Sequence, residues 1–376
     1  MQYRRFGKTN HHVSVFSLGT MRYLASAEQA GQVVRYAVDR GINHIETARG
    51  YGKSEEFLGQ ALQTHAIDRS SIVITTKIPP TPDADSMKTA IQDSLKRLGV
   101  EWIDCLAIHG LNTQQHLEAV IAADGCMAAV REAIATGKVR HVGFSTHAPL
   151  DIILRAIDTG FFEFVNLHYT LFFQRNEPAV ELAHQHDMGV FIISPADKGG
   201  LLYTPPDQLT HLCAPYSPLE MNHRFLLSDR RITTLSVGPA IPAELDTPLE
   251  LADRTEPLSD DERRVLERLE QHQSTVLGGD RCSQCYECLP CPEDINIPEV
   301  LRLRNLAVAY DMKAFGEYRY RMFENAGHWF PGRKGDRCTE CGDCLPRCPE
   351  KLAIPELLKD AHQRLNGPKR RRLWEN

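Results

Sequence analysis

The chain has 376 residues, 42% of them hydrophobic and 24% charged, with a net charge of −6. That length suggests two or three domains, or one large barrel plus a module; the acid excess gives no general reason to bind nucleic acid, and no apolar run is long enough to span a bilayer. The opening MQYRRFGKTNHH carries no apolar signal segment, so the reading is a cytoplasmic protein, and the C-terminal KRRR (Lys369 to Arg372) reads as a solvated end.

In chain order, short apolar runs alternate with helical patterns. VSVFSL (13–18), INHIE (42–46), SIVITTK (71–77), WIDCLAI (102–108), VRHVGFS (139–145), FEFVNLH (162–168), GVFIIS (189–194) and ITTLSV (232–237) read as strands. Several are apolar on both faces, as a parallel strand covered on both sides requires. Between them, AEQAGQVVRYAVDRG, KSEEFLGQALQTH, DSMKTAIQDSLKRLG and MAAVREAIATG carry apolar residues at about i, i+3, i+4. Eight such alternations suggest an α/β chain built on a closed (β/α)8 TIM barrel over 1–245. An open doubly wound sheet is the runner-up. It lacks the G-x-G-x-x-G that a dinucleotide-binding sheet carries after its first strand.

Residues 246–280 are acidic and Pro-containing at first, then amphipathic, and read as a tether. From 281 to 376 the chain reads as a small, mainly α-helical ferredoxin-like domain, with 297–327 helical. Two runs dominate it, CSQCYECLPCP (Cys282, Cys285, Cys288, Cys291) and CTECGDCLPRCP (Cys338, Cys341, Cys344, Cys348). The second is the C-x2-C-x2-C-x3-C-P pattern of 4Fe–4S sites, and the first is one residue shorter before its last cysteine. Three soft ligands within seven residues suit a cubane cluster. Zinc sites usually space two C-x2-C pairs further apart, and disulfides do not suit a reducing compartment. Two 4Fe–4S clusters are therefore expected. By the rule that the fourth cysteine ligates the other cluster, one would be held by Cys282, Cys285, Cys288 and Cys348, the other by Cys338, Cys341, Cys344 and Cys291. Cys105, Cys126 and Cys213 read as small buried hydrophobes. No internal repeat is apparent beyond the two cysteine runs.

Barrel enzymes place chemistry at the C-terminal ends of strands. Here those ends carry Glu46, with Tyr51 five residues later, then Lys77 and His109. Four titratable groups at adjacent strand ends should converge on one pocket. YRRFGKTN…VSVFSLGTM, GINHIETARGYGKSE, GKVRHVGFS and SPADKGGLL resemble the aldo/keto reductase superfamily over about 1–245. With the cysteine runs, the chain resembles the branch that carries a C-terminal ferredoxin-like domain. The resemblance implies Tyr51 as general acid, Lys77 as its partner, His109 as substrate-orienting group and Glu46 as the carboxylate. The family's IDTA is IETA here, so the carboxylate arm is longer by one methylene. An ammonium beside the phenol would draw its pKa from about 10 toward neutrality.

The same resemblance implies an NADP(H) or NAD(H) site, with Thr20 and Met21 along the nicotinamide, Ser145 and Asn166 on its carboxamide, and Ser194 and Lys198 near the pyrophosphate. The Lys-Ser pair and Arg that grip a 2′-phosphate are missing from LSVGPAIPAEL. The implied function is NAD(P)H-dependent reduction of a small carbonyl, or the reverse alcohol oxidation, with a redox partner protein such as a ferredoxin. The other reading is an electron-transfer or docking protein that uses the barrel mainly as a scaffold.

Overall fold

The computed structural model describes residues 1–367, so the basic tail at 369–372 lies outside the described residues. Two compact units emerge: residues 1–199 with 222–257, and residues 200–221 with the chain from 258 onward. The segment 246–280 is therefore divided between the units. Residues 246–257 belong to the first, and the helix Asp260–Leu277, started by a Ser259/Glu262 capping box, belongs to the second.

The first unit opens with a hairpin of β1 (Tyr3–Arg5) and β2 (His12–Ser14). Eight parallel strands follow: β3 (Phe16–Gly19), β4 (His44–Glu46), β5 (Val73–Ile78), β6 (Ile103–His109), β7 (Val139–Ser145), β8 (Phe164–Leu167), β9 (Gly189–Ile192) and β10 (Thr234–Val237). They close into a barrel in chain order, with β10 paired to β3. The apolar run 13–18 is thus shared by two strands, because the hairpin ends at Ser14 and the barrel begins at Phe16.

Strand side chains alternate between the faces, and in a barrel one face looks inward. The inner layer includes Phe6 from the hairpin, Phe164 and Phe191, all fully buried. Among them stands His44, whose ring nitrogens contact the Ser17 hydroxyl at 2.6 Å and the Thr75 hydroxyl at 2.8 Å. Burial pushes the His44 imidazole down to about 3. The outward face packs into a shell with the helices, for example Ala27–Asp39, capped by Ser26, and Ala84–Leu98, capped by Asp83 and ended by Gly99 at φ 62°. Cys105, Cys126 and Cys213 are all buried.

In the second unit the expected helical stretch breaks at Asp311, which is left-handed, into Ile297–Tyr310 and Lys313–Tyr320. Among the described residues the last helix is Ile354–Leu365. The repeat runs further than the cysteines alone. CPEDINIPEVL (291–301) matches CPEKLAIPELL (348–358), and each copy leads into a helix with Pro at its first turn. The backbone repeats too. Gln284 and Glu340 have φ of 63° and 57°, Tyr286 and Gly342 66° and 83°, and Asp294 and Lys351 54° and 56°. The stretch 200–221, between β9 and β10, packs into this unit: Arg268 of the helix Asp260–Leu277 donates to the Leu212 carbonyl at 2.7 Å. Among the described residues no helix is long and apolar enough to cross a membrane.

Candidate functional site

Two residues along each inward face from the His44 layer lies the next layer. It brings Glu46 from β4 together with Lys77 from β5 and Ser236 from β10. The Lys77 amine donates to a Glu46 carboxylate oxygen and, at 3.0 Å, to the Thr47 carbonyl. The other Glu46 oxygen accepts from the Ser236 hydroxyl at 2.9 Å. The longer carboxylate is therefore pinned between a lysine and a serine. Gly19 leaves room for this: a Cβ there would stand 2.7 Å from the Ser236 hydroxyl and 3.2 Å from the Glu46 carboxylate.

Tyr51 sits in the loop after β4, its amide donating to Ala48 at 2.9 Å. Its ring meets His109, at the end of β6, edge-on with centroids 5.7 Å apart. The Lys77 amine lies 5.0 Å from the Tyr51 ring centre. The four expected residues therefore stand together at one end of the barrel. Their electrostatics differ from the expectation. Burial pushes the Tyr51 phenol up, to about 12. The Lys77 amine faces the ring, and burial sets the direction of the shift. Lys77 is pushed down to about 7, by burial first and by the Lys198 ammonium second. The Glu46 carboxylate in contact with it pulls the other way.

The residues expected at the nicotinamide fare unequally. The fully buried Asn166 ends with neither its side-chain oxygen nor its nitrogen partnered among the described residues. An amide in that state is a ready site for a second amide, which offers the matching donor and acceptor. The Ser145 hydroxyl is engaged by the Gly110 amide at 3.1 Å. The Thr20 hydroxyl is turned into a buried network, 2.6 Å from Ser54, which in turn lies 2.8 Å from Thr47. Met21 is 44% exposed. Ser194 has φ of 49° and begins a tight loop that continues through Lys198 to Leu201 at φ 55°. After β10, Glu244 pairs with Arg22 at 2.9 Å and accepts from the Ala240 amide at 2.8 Å. Beyond the expected set, His168 stands just past the end of β8, two residues after Asn166, with its ring 4.6 Å from that of His147. The period-2 spacing from Asn166 was the available signal.

In the second unit the cysteines surround two hollows. One is lined by Cys282, Cys285, Cys288 and Cys348; the other by Cys291, Cys338, Cys341 and Cys344. Each set takes three cysteines from one run and the fourth from the other. Among the described residues no His, Cys, Asp or Glu side chains are grouped so that they could hold a metal ion as they stand. The donor set at each hollow is four thiols, the soft ligands that an iron–sulfur cluster takes.

Residues 16–269 match the aldo/keto reductase family. The chain belongs to that family. Residues 281–353 match a 4Fe-4S dicluster domain, so this aldo/keto reductase is an oxidoreductase fused to an iron–sulfur module. It is 27% identical over 221 residues to the uncharacterized oxidoreductase YqkF of Bacillus subtilis (strain 168), covering 55% of this chain and 69% of that protein. It is 29% identical over 243 residues to the versiconal hemiacetal acetate reductase of Aspergillus parasiticus, covering 54% and 69%. In structure, the aldo-keto reductase AKR11C1 from Bacillus halodurans (holo form) superposes with a TM-score of 0.63 at 22% identity, over 71% of this chain and 96% of that one. That likeness speaks for the barrel fold of this aldo/keto reductase.

Proposed function

We propose that the barrel interconverts a small-molecule carbonyl and its alcohol with a nicotinamide dinucleotide, and that the second unit holds two 4Fe–4S clusters in a reducing cytoplasm. The observation that carries the reading is the assembly of Tyr51, Lys77, His109 and Glu46 at one end of the barrel, beside the unpartnered amide of Asn166. A bound nicotinamide supplies the hydride and bound clusters supply one electron each. The protein supplies the rest. Asn166 holds a carboxamide. His109 and Tyr51 face the carbonyl oxygen, and Tyr51 gives it a proton. A phenol pushed up to about 12 stays protonated through the physiological range, so the acid is loaded before each turnover. The pinned Glu46 holds the Lys77 amine under the Tyr51 ring.

The loop after β10 carries Glu244 and neither Lys nor Arg over 238–245. That loop offers no cation of its own to a 2′-phosphate, and the nearby Arg22 is held by Glu244, which supports NAD(H) over NADP(H). The cluster half rests on the two four-cysteine hollows: Cys282, Cys285, Cys288 and Cys348 form one ligand set, and Cys291, Cys338, Cys341 and Cys344 the other. Two clusters with exposed cysteines, Cys285 and Cys341, suit exchange with a small redox protein of the ferredoxin kind.

The test is made on anaerobically purified protein. It should be brown, with about eight irons and eight sulfides per chain. It should bind NADH more tightly than NADPH. It should reduce members of a carbonyl panel at rates that fall by ~100-fold or more in Tyr51→Phe with NADH affinity unchanged. Clusters that cycle in redox state without nicotinamide binding would instead favour the scaffold reading.

A further inference from the structure

The two hollows are copies of one design, and the copy differs in hydrogen-bonding chemistry at the station between the first two cysteines. In the first run the residue two after the leading cysteine is Gln284; in the second it is Glu340. Both adopt the same left-handed backbone, with φ of 63° and 57°. The flanking cysteines match in burial as well: Cys282 and Cys338 are half-buried, Cys285 and Cys341 exposed, Cys288 and Cys344 buried. Backbone conformation at this station and the burial of the three cysteines around it therefore match, and the side chain is what differs here.

The Gln284 amide nitrogen donates to the Cys282 sulfur at 3.3 Å and to the Pro298 carbonyl at 2.8 Å. Its orientation is fixed by those partners, because a flipped amide would turn its oxygen toward a sulfur and a carbonyl that both accept. A carboxylate at the same station has no proton to give. Glu340 is exposed and adds negative charge beside Cys341. A hydrogen bond to a ligating sulfur withdraws electron density and favours the reduced cluster, whereas added negative charge disfavours it.

We propose that Gln284 raises the reduction potential of the cluster in the hollow of Cys282, Cys285, Cys288 and Cys348, while Glu340 withholds the same hydrogen bond from the other. The pair makes two look-alike sites electronically distinct. This rests on the two-cluster reading above. Two other differences bear on the potentials: Arg347, the extra residue of the second run, lines the second hollow, and Tyr286 lines the first where Gly342 lines the second. The Arg347 guanidinium is spent on the Asp343 and Pro290 carbonyls, each at 2.9 Å. These set the starting values, and the contribution of the Gln284/Glu340 station is read as a change from them.

The experiment is a potentiometric titration of the anaerobic holoprotein with dithionite, followed by electron paramagnetic resonance. Iron and sulfide are counted first. Far fewer than about eight of each sinks the two-cluster reading and this inference with it. With both clusters loaded, Gln284→Leu, which deletes the donor at similar volume, should move one midpoint negative and leave the other in place. The change should be about fivefold in the ratio of reduced to oxidised cluster at fixed potential, the worth of an ordinary hydrogen bond. Glu340→Gln should move the other midpoint positive. The proposal is overturned if neither variant moves a midpoint, or if both move the same one. Should Gln284→Leu fail to load its clusters, Glu340→Gln decides alone: a positive shift of one midpoint supports the proposal, and no shift overturns it.

Discussion

Glu46 shows how one methylene is absorbed. A shorter aspartate reaching for Lys77 would leave Ser236 behind; the glutamate reaches both, and Gly19 keeps the space open. Ser236 is then a positioning residue whose worth depends on Glu46. Ser236→Ala should slow carbonyl reduction by about tenfold, the scale of one lost hydrogen bond to a charged group. In a Glu46→Asp background the same substitution should do almost nothing. Equal losses in both backgrounds would show that Ser236 acts on something other than the carboxylate. Gly19→Ala should copy Ser236→Ala, because its methyl displaces the hydroxyl. Glu46, Tyr51, Lys77 and His109 were legible because each ends or follows a strand. Ser236 and Gly19 were not, since the Ser236 contact with Glu46 joins residues 190 apart in sequence and neither residue type advertises its part. Nor was the partner of Thr20 legible: the resemblance implies a place for it along the nicotinamide, and its hydroxyl bonds with that of Ser54.

The strands themselves were legible from apolar runs with flanking turns, and their inward parity fixes which residues share a layer. What a run cannot tell is where a hairpin stops and a barrel starts, as between Ser14 and Phe16. Nor does it tell which inward polar residues satisfy one another. His44 is the clearest case. It is held neutral between Ser17 and Thr75, with its imidazole pushed down to about 3, against about 6.5 in an unfolded chain. Between those values the unfolded state binds the extra proton. Stability is therefore full above about pH 6.5 and is lost as pH falls toward 3. By pH 5 the loss should be about 2 kcal/mol from this residue, at ~1.4 kcal/mol per unit. His223, pushed down to about 4 by burial, adds a second contribution of the same sign. Denaturant unfolding of the barrel at pH 7 and pH 5 measures the sum. His44→Gln, which cannot titrate, should remove its share of the slope, and an unchanged slope would mean that other groups drive the acid loss.

At the scale of the molecule the two cysteine runs interlock. Cys291 faces the hollow of the second run, and Cys348 that of the first. Cys291→Ser should therefore damage the cluster bounded by Cys338, Cys341 and Cys344, leaving the one bounded by Cys282, Cys285 and Cys288. About half the iron should remain, with one of two paramagnetic signals. Retention of the second signal at the expense of the first would reverse the ligand sets. The cysteines could be read at once because soft ligands cluster locally in sequence. The allegiance of residues 200–221 could not, because nothing in that stretch sets it apart from an ordinary barrel loop. Its apolar residues Leu202, Leu209, Cys213, Leu219 and Met221 are all buried, and it packs with the later part of the chain. A chain cut after Pro257 should therefore be far more aggregation-prone than the whole protein, and deleting 200–221 from the cut chain as well should restore monomers on size-exclusion chromatography. A soluble cut chain with the stretch intact would show that the barrel unit can shelter it.

The passage of the chain between units at 199/200, 221/222 and 257/258 also sets a timetable for biosynthesis. A ribosome delivers residues 200–221 first, then β10, and only afterwards the helix Asp260–Leu277 against which the earlier stretch rests. At about 5–20 residues per second, that stretch spends several seconds as an apolar orphan while the barrel is already able to close. Nascent chains stalled in that interval are where holding chaperones should be found, and slow codons there would lengthen the exposure.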